Sequence, residues 1–227
     1  MNIMAFVPAR GGSKGILRKN LVQLAGKPLL QHTLDHLKAL GDTIIPFIST
    51  DDVEIEEYCI RQGFDMSYQR PHYLAQDDSS IIDAVLDGLS WVQLNRRIEI
   101  DAVLLLQPTN PLRLMSEVLG AITYFLDENI DSLVSVTTMK EHPYECIEIN
   151  KNGWSYLRIP TDDVIGRQQY QHNFFFIDGS FYLARVLFLK KYKQFVKEGV
   201  TKPFYLQRTW PIDIDVLDDL KVAEVFL

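Results

Sequence analysis

Apolar runs and helical stripes alternate through the first 140 residues of the chain. Ile3-Met4-Ala5-Phe6-Val7 is a continuous apolar run that stops at Pro8, the pattern of a buried strand. A glycine-rich loop follows, and then Leu29, Leu30, Thr33, Leu34, Leu37 and Leu40 recur at helical spacing. Ile44 to Ile48 predicts the next strand. Ser49-Thr50-Asp51-Asp52 offers N-cap residues for a helix through Glu57 and Ile60 that stops at Gly63. Gln76-Asp77-Asp78-Ser79-Ser80 caps a further helix whose apolar face is Ile82, Val85, Leu86, Leu89 and Val92. Val103 to Leu106 is wholly apolar, as in a parallel strand covered on both faces, and runs into Gln107-Pro108-Thr109-Asn110-Pro111. One more helix (Glu117 to Asp127) and one more strand (Leu133 to Thr137) follow. This alternation predicts a doubly wound α/β fold on a mostly parallel sheet.

The pattern then changes. From Thr138 to Phe181 there is no strong helical stripe, and short β-like pieces occur at Ile147-Glu148-Ile149, Phe174 to Ile177 and Phe181 to Leu183. Residues 138–183 therefore read as a small β-rich insertion, a lid or dimer surface, within one domain spanning 1–227. An antiparallel extension of the main sheet explains the same pieces equally well. A helix near Val186–Val196, the segment Ile212-Asp213-Ile214-Asp215 and a final amphipathic helix complete the chain.

Composition narrows the setting. The 227 residues are 47% hydrophobic and 23% charged, enough for one substantial core. A net charge of -7 argues against general binding to nucleic acid or to anionic membranes. Two cysteines, Cys59 and Cys146, form no CxxC pair, so a reducing compartment fits best. No export signal and no apolar run of roughly 18 residues is present, and the expected location is cytoplasmic. Within this acidic chain, residues 1–34 carry Arg10, Lys14, Arg18, Lys19 and Lys27 and no acidic residue. Such a stretch is either an anion site or a solvated basic face.

In open α/β sheets ligands bind beyond the carboxyl ends of the strands. Three polar clusters fall there: Arg10–Asn20, Ser49–Asp52 and Gln107–Arg113. In the first, Gly11, Gly12 and Gly15 surround Ser13 and Lys14. Glycines let backbone N–H groups approach phosphate oxygens, and lysine adds a point charge. The spacing is neither GxGxxG nor a Walker A motif, because no Gly-Lys-Ser/Thr follows. Asp213 and Asp215, two apart in an extended segment, face the same way. They could hold magnesium, which takes one or two carboxylates plus phosphate oxygens and water, or they could precede the last helix as a solvated or capping pair. His32 and His36 sit four apart on one helix without a third ligand, which favours a surface or packing role over metal binding. No Ser-His-Asp constellation with a nucleophile elbow is present.

The run Ala9 to Gly15 followed by Lys19-Asn20 resembles the signature of the CMP-sialic acid synthetase family of cytidylyltransferases. Leu105 to Arg113, Arg167-Gln168-Gln169 and Ile212 to Asp215 match in the same order, so the likeness covers essentially the whole chain. The resemblance implies a Rossmann-like domain of the nucleotide-diphospho-sugar transferase type with a small dimerisation subdomain, and a homodimer. It implies magnesium-dependent transfer of CMP from CTP to a nine-carbon 2-keto sugar acid. By that resemblance Arg10, Gly11, Gly12, Ser13, Lys14 and Lys19 meet the CTP phosphates, and Asn20 the ribose or phosphate. Arg70 approaches the cytosine, and Asp78, Ser79 and Ser80 read its edge. Gln107, Arg167, Gln168, Asp178 and Tyr182 line the sugar pocket, Arg167 pairing with the sugar carboxylate. Asp213 and Asp215 hold the metal, and Arg10, Lys14, Lys19 and Asp213 carry the catalysis.

Two positions depart from the family pattern. Asp178 stands where Asn is usual, and Glu145 replaces a lysine often seen after the His-Pro pair. Both lower the positive charge around the sugar, so the expected substrate differs from N-acetylneuraminic acid in its tail, as legionaminic- and pseudaminic-type sugars do. The alternatives are a nucleotidyltransferase for Kdo or a sugar 1-phosphate, and a non-catalytic nucleotide- or sugar-binding regulator.

Overall fold

A computed structural model describes residues 1–151, 153–157, 174–207 and 212–227. The apolar run at the N-terminus forms β1 (Ile3–Pro8). A two-stranded ribbon, β2 (Gln23–Leu24) and β3 (Lys27–Pro28), leads into α1 (Leu29–Leu40). β4 (Ile45–Ser49), α2 (Val53–Arg61), α3 (Ile81–Trp91), β5 (Ala102–Leu105), α4 (Met115–Asp127) and β6 (Ser132–Thr138) follow the expected alternation. Asp52 caps α2, accepting from Glu54 N at 2.9 Å and Ile55 N at 3.0 Å, and Ser80 caps α3, accepting from Ile82 N at 3.2 Å.

After β6 come the hairpin β7 (Ile147–Asn150) and β8 (Gly153–Tyr156), the long strand β9 (Phe175–Arg185), α5 (Val186–Tyr192), β10 (Lys202–Tyr205) and α6 (Leu217–Glu224). The main sheet has the order β10-β6-β9-β5-β1-β4. β1 pairs in parallel with β4 and β5, and β10 with β6. β9 alone runs antiparallel, between β5 and β6. The antiparallel extension of the sheet therefore accounts for Phe175–Arg185. The hairpin β7–β8 stands apart as a separate two-stranded sheet.

Period-two alternation explains the three layers. Ile3, Ala5 and Val7 of β1 pack into one core with Leu30, Leu34 and Leu37 of α1, Ile55 of α2 and Ile122 of α4. Met4 and Phe6 face the other way, onto Ile82, Val85 and Leu89 of α3 and Phe188 of α5. A third cluster unites Ile16, Leu24, Leu29, Ile212, Ile214, Leu220 and Ala223. It ties the chain's last segment to its first loop, each large apolar side chain contributing about 1.5–3 kcal/mol on burial. Among the described residues no helix is long and apolar enough to cross a membrane.

The histidines of α1 are packing residues. His32 is 4% exposed, with its Nε2 3.1 Å from the Leu24 carbonyl. Burial, reinforced by the nearby Arg113 charge, pushes His36 down to about 3, and its Nδ1 has no hydrogen-bond partner among the described residues. The folded state thus refuses a proton that the unfolded chain accepts below about pH 6.5. Stability is expected to fall with pH from there, by up to about 1.4 kcal/mol per unit. His36→Phe should flatten the urea-midpoint profile between the histidine and carboxylate ranges; an unchanged slope there would rule His36 out as its source.

Candidate active site

The loops after β1 and β5 and the segment before α3 enclose a cleft of about 260 Å³. Its walls include Arg10, Gly12, Ser13, Lys19 and Asn20 from the first loop, Arg70, Asp77 and Ser79 from the second, and Gln107 and Thr109 from the third. The basic N-terminal stretch is therefore not a uniformly solvated face: Arg10 and Lys19 line one cleft.

Each cation is held in place. Arg10 donates to the Ala75 carbonyl at 3.3 Å and pairs with Asp77 at 3.0 Å. Lys14 reaches the other Asp77 oxygen at 2.8 Å. Lys19 donates to the Ile214 carbonyl at 2.8 Å and to Asp215 at 2.9 Å. Asn20 donates to the Arg10 carbonyl at 2.9 Å, so its amide shapes the loop itself. The Gly11 N–H is turned to Asp51 at 3.0 Å, and a Cβ at Gly11 would come within 2.5 Å of the Asp52 carboxylate that caps α2.

Arg70 is 7% exposed yet lines the cleft. Its side chain donates to the Leu74 carbonyl, and its Nε has no hydrogen-bond partner among the described residues. Burial lowers the guanidinium pKa. A desolvated donor with spare capacity suits recognition of a neutral, oxygen-rich ring edge. Ser79 also lines the cleft, its hydroxyl donating to the Tyr73 carbonyl at 2.7 Å. Asp78 and Ser80 lie on the adjoining depression instead, because Ser80 is engaged as the N-cap of α3.

Residues 212–215 are extended without belonging to an assigned strand. Ile212 and Ile214 are buried and Asp213 and Asp215 exposed, so the period-two pattern still sends both carboxylates one way. The Ile214 N–H donates to the Thr109 carbonyl at 2.7 Å, anchoring the segment to the loop after β5. Desolvation pushes the Asp213 carboxyl above the usual carboxylate range; the Thr109 hydroxyl opposes this and the Asp215 charge adds to it. Two carboxylates sent to the same side of one segment offer hard oxygen ligands of the kind a divalent cation takes.

The substrate-side residues divide. Gln107 lines the cleft. Tyr182 is half-buried in β9, its hydroxyl pKa raised by desolvation and by Asp213 and Asp178. Arg167 and Gln168 lie outside the described residues. Asp178, expected in the sugar pocket, is 2% exposed. It accepts from the Ser135 hydroxyl at 2.5 Å, from the Ser180 hydroxyl and from the Ser180 N–H at 3.2 Å. Ser135 sits in the register shift between Val134 and Val136, so Asp178 satisfies the polar groups of a β-bulge. Asp178→Ala should cost about 2–4 kcal/mol by stranding those buried donors; chemical denaturation measures it, and a loss below 1 kcal/mol would contradict this role.

Three residues of the site have contacts that the sequence did not show. Asp77 bridges two cations, Thr109 bonds Asp213, and Arg113, 4% exposed, donates to the carbonyls of Ser180 and Gln107 and to the Thr33 hydroxyl at 3.2 Å. Arg113 ends a motif that the sequence does display; its burial was the hidden part.

A family model described as cytidylyltransferase matches residues 4–226. An N-acylneuraminate cytidylyltransferase of Streptococcus agalactiae is 28% identical over 221 residues, 96% of this chain but 52% of that protein, so the chain spans about half the length of such relatives. The CMP-N,N'-diacetyllegionaminic acid synthase of Legionella pneumophila is 32% identical over 227 residues, covering 99% of this chain and 95% of that one. A solved CMP:2-keto-3-deoxy-manno-octonic acid synthetase complexed with CTP superposes with a TM-score of 0.71 at 18% identity, over 99% of this chain and 98% of that one, a likeness of fold. With the ordered motifs and the cleft they build, these matches establish that the chain belongs to the cytidylyltransferase family.

Proposed function

We propose that this chain transfers CMP from CTP to the anomeric 2-hydroxyl of a nine-carbon 2-keto sugar acid, releasing pyrophosphate. The observation that carries the proposal is the gathering of Arg10, Lys14 and Lys19 in the loop at the carboxyl end of β1, with Lys19 bonded to the Ile214 carbonyl and to Asp215. The hydroxyl oxygen attacks the α-phosphorus, and the bond to the β-phosphate oxygen breaks in line. Arg10, Lys14 and Lys19 bind the phosphates and offset charge growing on the leaving pyrophosphate, so catalysis is positioning and electrostatics. Arg70 and Ser79 face the base, and Gln107 and Tyr182 stand on the sugar side. Asp213 and Asp215 would hold magnesium, which when bound neutralises phosphate oxygens.

The substrate is of the sialic, legionaminic or pseudaminic type. Glu145 and the buried Asp178 supply no positive charge for the sugar's side groups, and the 32% identity to a protein named for diacetyllegionaminic acid favours the diamino sugars over N-acetylneuraminic acid. A CTP-dependent step fits a cytoplasmic setting. The chain also works as a homodimer in this reading: Ile149 at 79% and Trp154 at 61% exposure give the β7–β8 hairpin an apolar outer surface that sedimentation equilibrium can test for self-association.

The test is pyrophosphate release with CTP and magnesium across a panel of nonulosonic acids. Turnover with the diamino sugars is the expected result. CTP binding without turnover on any sugar would favour a nucleotide-binding regulator, and preference for N-acetylneuraminic acid would overturn the substrate choice.

A further inference from the structure

The cleft that lines up the phosphate-binding cations also contains their competitor. Both carboxylate oxygens of Asp77 are used: Oδ1 meets Arg10 at 3.0 Å and Oδ2 meets Lys14 at 2.8 Å. Asp77 belongs to the wall opposite the glycine-rich loop, in the segment before α3, and lines the cleft itself. The hydrogen bond from Lys14, then the Lys14 and Arg10 charges, hold its carboxyl below the usual range, so it stays ionised.

The surrounding segment does not depend on these pairs for its shape. Gln76 donates to the His72 carbonyl at 2.9 Å, the Ser79 N–H to the Gln76 carbonyl at 3.2 Å, and the Ser79 hydroxyl to the Tyr73 carbonyl. Arg70 braces it from below through the Leu74 carbonyl. The Asp77 side chain is half-exposed, so it can leave the cations by rotation while the backbone stays bonded.

The geometry points to Asp77 as an intramolecular stand-in for phosphate, a residue that occupies Arg10 and Lys14 in the empty cleft, yields them to an entering polyphosphate and reclaims them as pyrophosphate leaves. The inference rests on the reading of this cleft as a nucleotide site. Physically, a tethered carboxylate meets its cations at high effective concentration, and any phosphate must displace it. A triphosphate carries enough charge to do so. After transfer, the departing pyrophosphate faces the returning carboxylate. Asp77 thus weakens ground-state binding and speeds release, a positioning role exerted through Arg10 and Lys14.

Isothermal titration of inorganic pyrophosphate, CTP and cytidine into the wild type, Asp77→Asn, Asp77→Ala and Asp77→Glu separates the possibilities. Exposed pairs of this kind are weak, so Asp77→Asn and Asp77→Ala should bind pyrophosphate and CTP about three- to tenfold more tightly. Cytidine, lacking phosphate, should be unaffected, and Asp77→Glu should return towards the wild type. In turnover, KM for CTP should fall and pyrophosphate should inhibit at lower concentration. Equal or weaker pyrophosphate binding by both neutral variants, with the wild type still binding CTP, would show a plain structural tether and overturn the inference. A wild type that binds neither CTP nor pyrophosphate would sink the nucleotide reading itself.

Discussion

Asp213→Asn is expected to lower turnover by about 10³-fold or more while leaving the protein folded and as stable as before, or slightly more so. The asparagine keeps the size of the side chain and an acceptor for the Thr109 hydroxyl. What it removes is a charge that desolvation and Asp215 both disfavour in the unliganded protein. In the proposed function that charge is matched by the cation and phosphates of the complex. The measurement is a pair: a thermal melt without magnesium, and kcat with magnesium and saturating CTP. Near-normal kcat in a well-folded Asp213→Asn protein would remove Asp213 from the catalytic set.

Gly15→Ala should be as damaging by a different route. Gly15 does not need a left-handed backbone; its constraint is contact. A Cβ there would overlap the carbonyl oxygen of Asp215, a backbone atom that cannot rotate aside. The same segment is fixed by Ile212 and Ile214 in the third hydrophobic cluster and by the Thr109 carbonyl. The methyl group must therefore push apart the glycine-rich loop and the aspartate segment, separating Lys19 from Asp215 and from the Ile214 carbonyl. A misplacement near 1 Å in such a constellation costs about 10²-fold in rate, and the overlap adds a stability loss of about 1–3 kcal/mol. Gly12→Ala is the matched comparison for folding, since a Cβ there meets nothing within 4 Å. Equal melting temperatures for the two variants would contradict the steric account.

The α/β layering was legible because the inner parallel strands β1 and β5 are buried on both faces and the long helices each show one apolar stripe. The caps at Asp52 and Ser80 were readable for the same local reason. β9 was harder. Its residues split into two β-like pieces around Asp178-Gly179, and only the pairing with β5 and β6, far away in sequence, joins them across a bulge. β10 is four residues long and contains Pro203 on the outer edge of the sheet, so it left no pattern to find. In the site, the basic residues of the first loop announced themselves by charge. Asp77 did not, because a carboxylate in a polar turn looks the same whether it faces water or two cations. The bonds of Asp178 to Ser135 and Ser180 were hidden for another reason: they join residues far apart in the chain or across a bulge that no local pattern announces.

The antiparallel strand β9 of the main sheet sets where the chain can be altered. Because β9 runs against its neighbours, the excursion that carries the β7–β8 hairpin leaves and re-enters the sheet at one point, where Thr138 pairs with Phe175. The chain between is closed at its base like an oversized hairpin loop, and lengthening such a loop costs only about 0.6 kcal/mol per doubling. An excursion from one relative could therefore be exchanged for another's at that junction without rethreading the six strands or moving the cations and carboxylates of the cleft. Changes of length within the excursion are thus absorbed at the Thr138–Phe175 junction rather than passed on to the cleft.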